Sequence, residues 1–238
     1  MTPEAFRHLP ELLARVTPPD RSALRVTPEV LAQWDERARQ LGRPADWRWS
    51  EAAIEASRRA LLGQLDGTRE LWVFAYGSLM WDPAIHFDEV RRADLAGWQR
   101  RFTYRTIMGR GTPQQPALML SLEARDGCCQ GLAFRIPPEQ ADAESALLWR
   151  REMLRGGYVP RRLPLHTPQG DVEAVVFTCN TAHADHVGEL PLDETAAIIS
   201  CACGVIGSNR QYLEQLSAQL QALGIPDGYV DGLMQRLP

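Results

Sequence analysis

Two features of the sequence could do chemistry. The first is Tyr76-Gly77-Ser78-Leu79, at the end of the apolar run Leu71-Trp72-Val73-Phe74-Ala75-Tyr76. Glycine there lets the chain turn sharply after a buried strand, so that successive backbone N–H groups converge on one point and cradle a carboxylate or a developing oxyanion. The alternative is an ordinary strand-to-turn transition, which uses the same residue types. The second feature is Glu152, in Leu147-Leu148-Trp149-Arg150-Arg151-Glu152-Met153. At about 100° per residue it lies about 40° from Leu148 and about 60° from Trp149, inside the apolar arc of a helix and near its C-terminal end. A half-buried acid in that place opposes the helix dipole, which marks it as a candidate functional residue. The alternative is an ion pair with Arg151 or Arg155.

Other signatures are absent. The sequence has no Gly-x-Gly-x-x-Gly after a strand, no Gly-Lys-Ser/Thr phosphate loop, no His-Glu-x-x-His and no Gly-x-Ser-x-Gly, which argues against nucleotide cofactors and zinc hydrolysis. Five cysteines, as Cys128-Cys129, Cys179 and Cys201-Ala202-Cys203, match neither a disulfide framework nor paired Cys-x-x-Cys modules. They read as reduced and mostly buried small residues. His183-Ala184-Asp185-His186 has the spacing of a ligand pair, with a solvated loop as the preferred reading. With 26 basic and 30 acidic residues the 238-residue chain has a net charge of −4, so no nucleic acid and no anionic membrane is expected as its main partner. No run approaches about 18 consecutive apolar residues, and Glu4, Arg7, His8, Glu11 and Arg15 stand at the N-terminus in place of an apolar leader. A soluble, cytoplasmic protein is expected, whose 45% apolar residues can bury a core of ordinary size.

The elements that must position these residues fall into two regions. Residues 1–70 read as a helical N-terminal extension. Thr27-Pro28-Glu29 has the order of an N-cap, a first-turn proline and a first-turn acid, before a helix from Val30 to Leu41. Ser50-Glu51 opens a second helix, which Gly63 or Gly67 ends. Trp34, Trp47 and Trp49 are its apolar anchors. Residues 71–238 form the main domain, with strand-like runs at 71–76, 94–104, 117–122, 130–136, 161–166 and 172–178, and Asp126-Gly127 as a tight turn. Their close spacing favours antiparallel pairing in a barrel-like sheet. Helices are expected from Pro137-Pro138-Glu139 to about Leu154, ended by Gly156-Gly157, and from Glu194 to Cys203. A third follows Ser208-Asn209, with Leu213, Leu216, Leu220 and Leu223 on one apolar face.

Trp72 through Trp81, Gly97-Trp98-Gln99-Arg100-Arg101-Phe102, Gly109-Arg110-Gly111-Thr112-Pro113, Arg151-Glu152 with Gly156-Gly157-Tyr158, and Ser208-Asn209-Arg210-Gln211-Tyr212-Leu213 occur in this order. Together they resemble the ChaC family of γ-glutamylcyclotransferases, from about Leu71 to Leu223. The resemblance implies an α+β, γ-glutamylcyclotransferase-like fold, an antiparallel β-barrel with flanking helices, here carrying a helical N-terminal extension. It implies a lyase that acts on glutathione, releasing 5-oxoproline and Cys-Gly with no cofactor and no metal. On this resemblance Val73, Ala75, Tyr76, Gly77, Ser78 and Leu79 hold the γ-glutamyl group and Glu152 is the proton acceptor; Tyr158, just after the glycine pair, is either a hydrogen-bond partner for the substrate or a core residue with a satisfied hydroxyl. Ala75 stands where the family usually has glycine, and its methyl bears on affinity. Tyr212 is a further candidate, while Arg101 and Arg110 are either partners for the glycine carboxylate of glutathione or solvated surface residues. A cyclotransferase for another γ-glutamyl amide and a non-enzymatic sensor of a γ-glutamyl ligand are the alternative readings.

Overall fold

The structure is a computed structural model that describes residues 2–237. In chain order it contains helices α1 (Pro28–Gln40) and α2 (Glu51–Leu62), strands β1 (Leu71–Ala75), β2 (Glu89–Thr106) and β3 (Ala117–Ile136), and helix α3 (Ala141–Glu152). Strands β4 (Tyr158–Leu165) and β5 (Val172–Cys179) follow, then helix α4 (Leu192–Cys201), the short strands β6 (Cys203–Gly204) and β7 (Gly207–Ser208), and helices α5 (Asn209–Ala222) and α6 (Gly228–Met234). Five strands make one sheet in the order β2-β3-β1-β5-β4, and β6 pairs with β7.

β1 is the central strand, so all five of its residues are apolar and buried, with no alternation. It pairs antiparallel with β3, from Leu71↔Ile136 to Ala75↔Leu132. Its other neighbour is parallel, through Trp72↔Ala174 and Val73↔Val175 of β5. This departs from the antiparallel expectation because β2, β3, α3 and β4 all lie between β1 and β5, enough chain for a crossover. The expected closed barrel is an open, mixed sheet in its ladders. Its edges meet in one isolated antiparallel bridge, Asp94↔His166, between β2 and the residue after β4.

The tight turn expected at Asp126-Gly127 does not form, and β3 runs through it unbroken. Gly127, at φ 126°, kinks the strand, and the Gln99 side chain of β2 donates to Asp126 O at 2.5 Å. Asp-Gly serves a kinked strand as well as a hairpin, and a long neighbouring strand decides for the former. All five cysteines are free, but Cys128, Cys201 and Cys203 are exposed and two are buried. Adjacent residues of a strand face opposite sides, so Cys128 and Cys129 cannot share one fate.

The chain divides into two compact units. The first holds the chain through Ala75, then Leu79–Leu95 and Gly131–Thr178. Its helices begin where the caps predicted: Thr27 Oγ1 accepts from Val30 N at 3.3 Å and Ser50 Oγ from Ala53 N at 3.2 Å, and Gly63, at φ 67°, caps the end of α2. Phe6, Phe87 and Phe134 form an edge-on aromatic chain in its core. The second unit holds Tyr76–Ser78, Ala96–Gln130 and the chain from Cys179 onward. There α4, α5 and α6 pack together, and the leucine face of α5 is buried as expected. Ser208 and Gln211 form a capping box at the start of α5. Helix α6, which the sequence reading missed, is capped by Asp227. The same carboxylate pairs at 2.6 Å with the buried Arg100.

Candidate active site

β1 delivers the chain into a bend at Tyr76-Gly77 and a single 3-10 turn at Ser78–Met80. Val73, Ala75, Tyr76, Leu79 and Met80 are buried, and Ser78 is half-buried. The reason for glycine at 77 differs from the expected one. Its φ is not in the left-handed region. A Cβ there would lie 2.8 Å from Tyr212 Oη and 3.1 Å from Leu120 Cδ2, so glycine is required by close approach. Within the second unit the bend therefore sits directly against a phenol hydroxyl. Arg100 Nε donates to Tyr76 O at 3.1 Å and anchors the bend from a buried guanidinium.

Glu152 is the last residue of α3, two residues before the end expected from sequence. Leu148 and Trp149 beside it on the helix are fully buried, and Trp149 packs edge-on against Phe177 at 5.1 Å. The Glu152 side chain is 14% exposed, and Arg151 Nε lies 3.0 Å from its Oε1. Burial pushes the Glu152 carboxyl above the usual glutamate range, and the Arg151 guanidinium opposes that push without cancelling it. The two readings left open by the sequence, an acid in an apolar arc and an ion pair, thus hold together. Arg151 is itself held, its Nη1 donating to Asp82 O at 2.6 Å.

The extension grips this helix with polar contacts beyond the apolar anchoring expected of its tryptophans. Arg25 forms a two-pronged ion pair with the buried Glu144 at 2.6 and 2.8 Å, and His86 N donates to the same carboxylate at 3.0 Å. Arg58 Nη1 reaches Asp142 Oδ1 at 2.8 Å and Ser145 Oγ at 3.0 Å. Arg150 pairs with Glu51 at 3.2 Å. Past the helix end, Trp49 N donates to Leu154 O at 2.8 Å, and its indole lies so close to Gly156 that a side chain there would overlap the ring. No local pattern signals these pairs, because each joins segments far apart in sequence.

Tyr158 opens β4 and is half-buried. Tyr212 meets Phe102 edge-on at 6.0 Å, and the Arg110 guanidinium lies 5.3 Å from its ring centroid. Arg110 is not a solvated surface residue: its Nη1 donates to Ser208 O at 2.7 Å, and burial lowers its pKa from the usual arginine value. Arg101 is likewise engaged, with Glu189 at 3.2 Å and the Tyr229 ring at 4.4 Å. The 183–186 segment is packed where a solvated loop was preferred. The His183 and His186 side chains are 20% and 18% exposed, because backbone pairing with β2 draws the segment in.

The model of the ChaC-like protein family matches residues 71–237. The chain belongs to the ChaC family. It is 38% identical over 187 residues to the glutathione-specific γ-glutamylcyclotransferase of Escherichia coli K12, covering 78% of this chain and 80% of that one. It is 32% identical over 165 residues to glutathione-specific γ-glutamylcyclotransferase 1 of Danio rerio, covering 68% and 84%. The crystal structure of the yeast γ-glutamyl cyclotransferase specific to glutathione superposes with a TM-score of 0.65 at 24% identity, over 71% of this chain and 95% of that one. The fold is thus mixed α+β with a sheet, similar to γ-glutamylcyclotransferase structures. No described helix is long and apolar enough to cross a membrane.

Proposed function

We propose that this chain degrades glutathione by intramolecular cyclisation, releasing 5-oxoproline and Cys-Gly, with Glu152 as the proton carrier. The α-amino nitrogen of the γ-glutamyl group attacks its own γ-carbonyl, a five-membered lactam closes, and the bond to the Cys-Gly nitrogen breaks. Nucleophile and electrophile sit in one molecule, so holding the glutamyl chain folded can supply effective molarities of about 10⁵ M or more. The amine is largely ammonium at neutral pH and cannot attack until a base removes its proton. Glu152 takes that proton and returns it to the departing Cys-Gly amine, then passes to the released amine the second proton that the ring nitrogen sheds as the lactam forms, so one carboxyl serves both steps. The observation that carries the reading is the Glu152 carboxyl itself: buried at a helix end and held above the usual glutamate range, which suits a group that must both accept and return a proton. The backbone at Tyr76, Gly77 and Ser78 holds the γ-glutamyl group, Val73, Ala75 and Leu79 also serve its binding, and Tyr158 adds a hydrogen bond. This chemistry calls for no cofactor.

In the same reading residues 1–70 are an extension that braces a catalytic domain of residues 71–238, supported by the Arg25, Arg58 and Trp49 contacts to α3 and its end. The sheet acts as a barrel, supported by the Asp94↔His166 bridge at its open seam. The protein works in the cytoplasm, which its five free cysteines favour. The test is 5-oxoproline release from glutathione, beside free γ-glutamyl dipeptides. The wild-type chain releases it from glutathione, and Glu152→Gln lowers kcat by about 10²–10⁴ while the protein stays folded. Release that survives the substitution moves the base elsewhere. A folded wild-type chain that releases none from any γ-glutamyl compound removes the enzyme assignment.

A further inference from the structure

Glu123, Cys179 and His186 come from three separate segments, β3, the end of β5 and the loop before α4, and none has a part in the proposed cyclisation. The carboxylate oxygen, Sγ and imidazole nitrogen they offer all lie within 4.8 Å of one another. We propose that these three side chains form a binding site for a divalent transition-metal ion of the zinc type.

The donor set selects the class of ion. A thiolate, an imidazole and a carboxylate together suit borderline-soft zinc, whereas magnesium and calcium take oxygen ligands. The spacing agrees, since the nitrogen and oxygen ligands of a tetrahedral zinc ion stand about 3.4 Å apart, and His186 Nε2 is 3.2 Å from Glu123 Oε1. Cys179 is buried, while the His186 and Glu123 side chains each keep 18% exposure. The three protein ligands leave a fourth position for water.

The ligands are also held in place before any ion arrives. Ser121 Oγ donates to Glu123 Oε1 at 3.2 Å, and Thr103 Oγ1 donates to the same oxygen. The histidine loop is pinned to β2 on both sides of His186: Arg105 N donates to Asp185 O at 2.8 Å and Val187 N to Thr103 O at 2.9 Å. His183 takes no ligand position in this proposal. Its Nδ1 accepts from Asp185 N at 3.1 Å, and its ring packs 5.3 Å from Tyr104, so it shapes the loop that presents His186. Outer contacts of this kind orient ligands and raise affinity. Cysteine spacing alone could not reveal the site, because one ligand of each type comes from each segment.

The test uses the full chain, stripped with a chelator and titrated with cobalt(II) in the absence of glutathione. The expected result is one equivalent bound, with a thiolate-to-cobalt charge-transfer band that zinc displaces. Cys179→Ser abolishes the band, and His186→Ala weakens zinc binding by about tenfold or more. Glu123→Gln, which keeps the side chain's size, weakens zinc binding by a similar factor and tests the site even if Cys179→Ser does not fold. A folded wild-type chain without the band overturns the proposal. So does a band that persists in folded Cys179→Ser and vanishes instead when the exposed Cys201 and Cys203 are replaced, or zinc affinity that Glu123→Gln leaves unchanged.

Discussion

Glu89, at the start of β2, and Glu152, at the end of α3, are two carboxylates with little access to water inside the same compact unit, yet they are treated in opposite ways. Glu89 is 1% exposed and surrounded by donors: Arg7 Nη2 at 2.5 Å, Arg91 Nε at 2.5 Å, His8 Nε2 at 3.2 Å and Arg135 Nη1 at 3.4 Å. Burial alone would push its carboxyl up, but Arg91, Arg135 and Arg7 together outweigh burial and hold it below the usual range. Glu152 has Arg151, and burial prevails. The difference separates two uses of a buried acid. One that must stay ionised is saturated with cations and ties segments together. The other, proposed here to carry a proton, is left undercompensated, at a cost in stability.

The comparison can be broken most decisively at Glu89. Glu89→Gln should cost about 2–3 kcal/mol in denaturant unfolding, below the about 3–5 kcal/mol of a fully buried pair, because Arg7, Arg91 and Arg135 keep 33%, 15% and 27% exposure. A loss under about 1 kcal/mol, typical of exposed pairs, would mean that Glu89 holds nothing together. A smaller effect is expected in the second unit, at the glycine of the bend. Gly77→Ala must displace the Tyr212 hydroxyl or the bend, and should raise KM for glutathione by about tenfold. Tyr212→Phe in the same chain should recover part of that loss. An alanine variant with unchanged KM would show that the close approach has no bearing on the substrate.

The smallest effect concerns pH and sharpens the contrast in sign. The folded Glu152 carboxyl titrates above the usual 4.5, so ionising it costs folded-state stability. That cost is absent below the unfolded value and complete above the folded one. Glu152→Gln should therefore unfold at a higher temperature than wild type at pH 7, and the difference should shrink as pH falls toward 4.5. Glu89 runs the other way. Its stabilisation is present above the usual 4.5 and is lost as pH falls through its depressed folded value. Thermal unfolding of both variants across pH reads the two slopes, and slopes of equal sign would remove the distinction.

Elements governed by near neighbours were legible without coordinates. The Thr27, Ser50 and Ser208 caps, the leucine face of α5, and the bend after β1 all depend on residues within a few positions of one another, and they stand where the pattern put them. Asp126-Gly127 was misread because the same dipeptide serves a hairpin or a kinked strand, and the neighbouring strand chooses. Glu152 was legible as a candidate from helix periodicity, whereas its proton affinity was not, since that depends on everything packed around it.

By itself, then, the sequence determined the starts of α1, α2 and α5, the buried strand β1 and the ordered motifs that place the chain in its family, because these are set by local sterics, capping and apolar periodicity. Tertiary structure decided the rest. It made β5 a parallel neighbour of β1, set Tyr212 against Gly77, and assembled Glu123, Cys179 and His186. It joined Arg25 to Glu144 across 119 residues and Arg100 to Asp227 across 127. Hydrogen bonds and charges act over a few ångströms of space whatever their separation along the chain, so such partners acquire their chemistry only when folding brings them together.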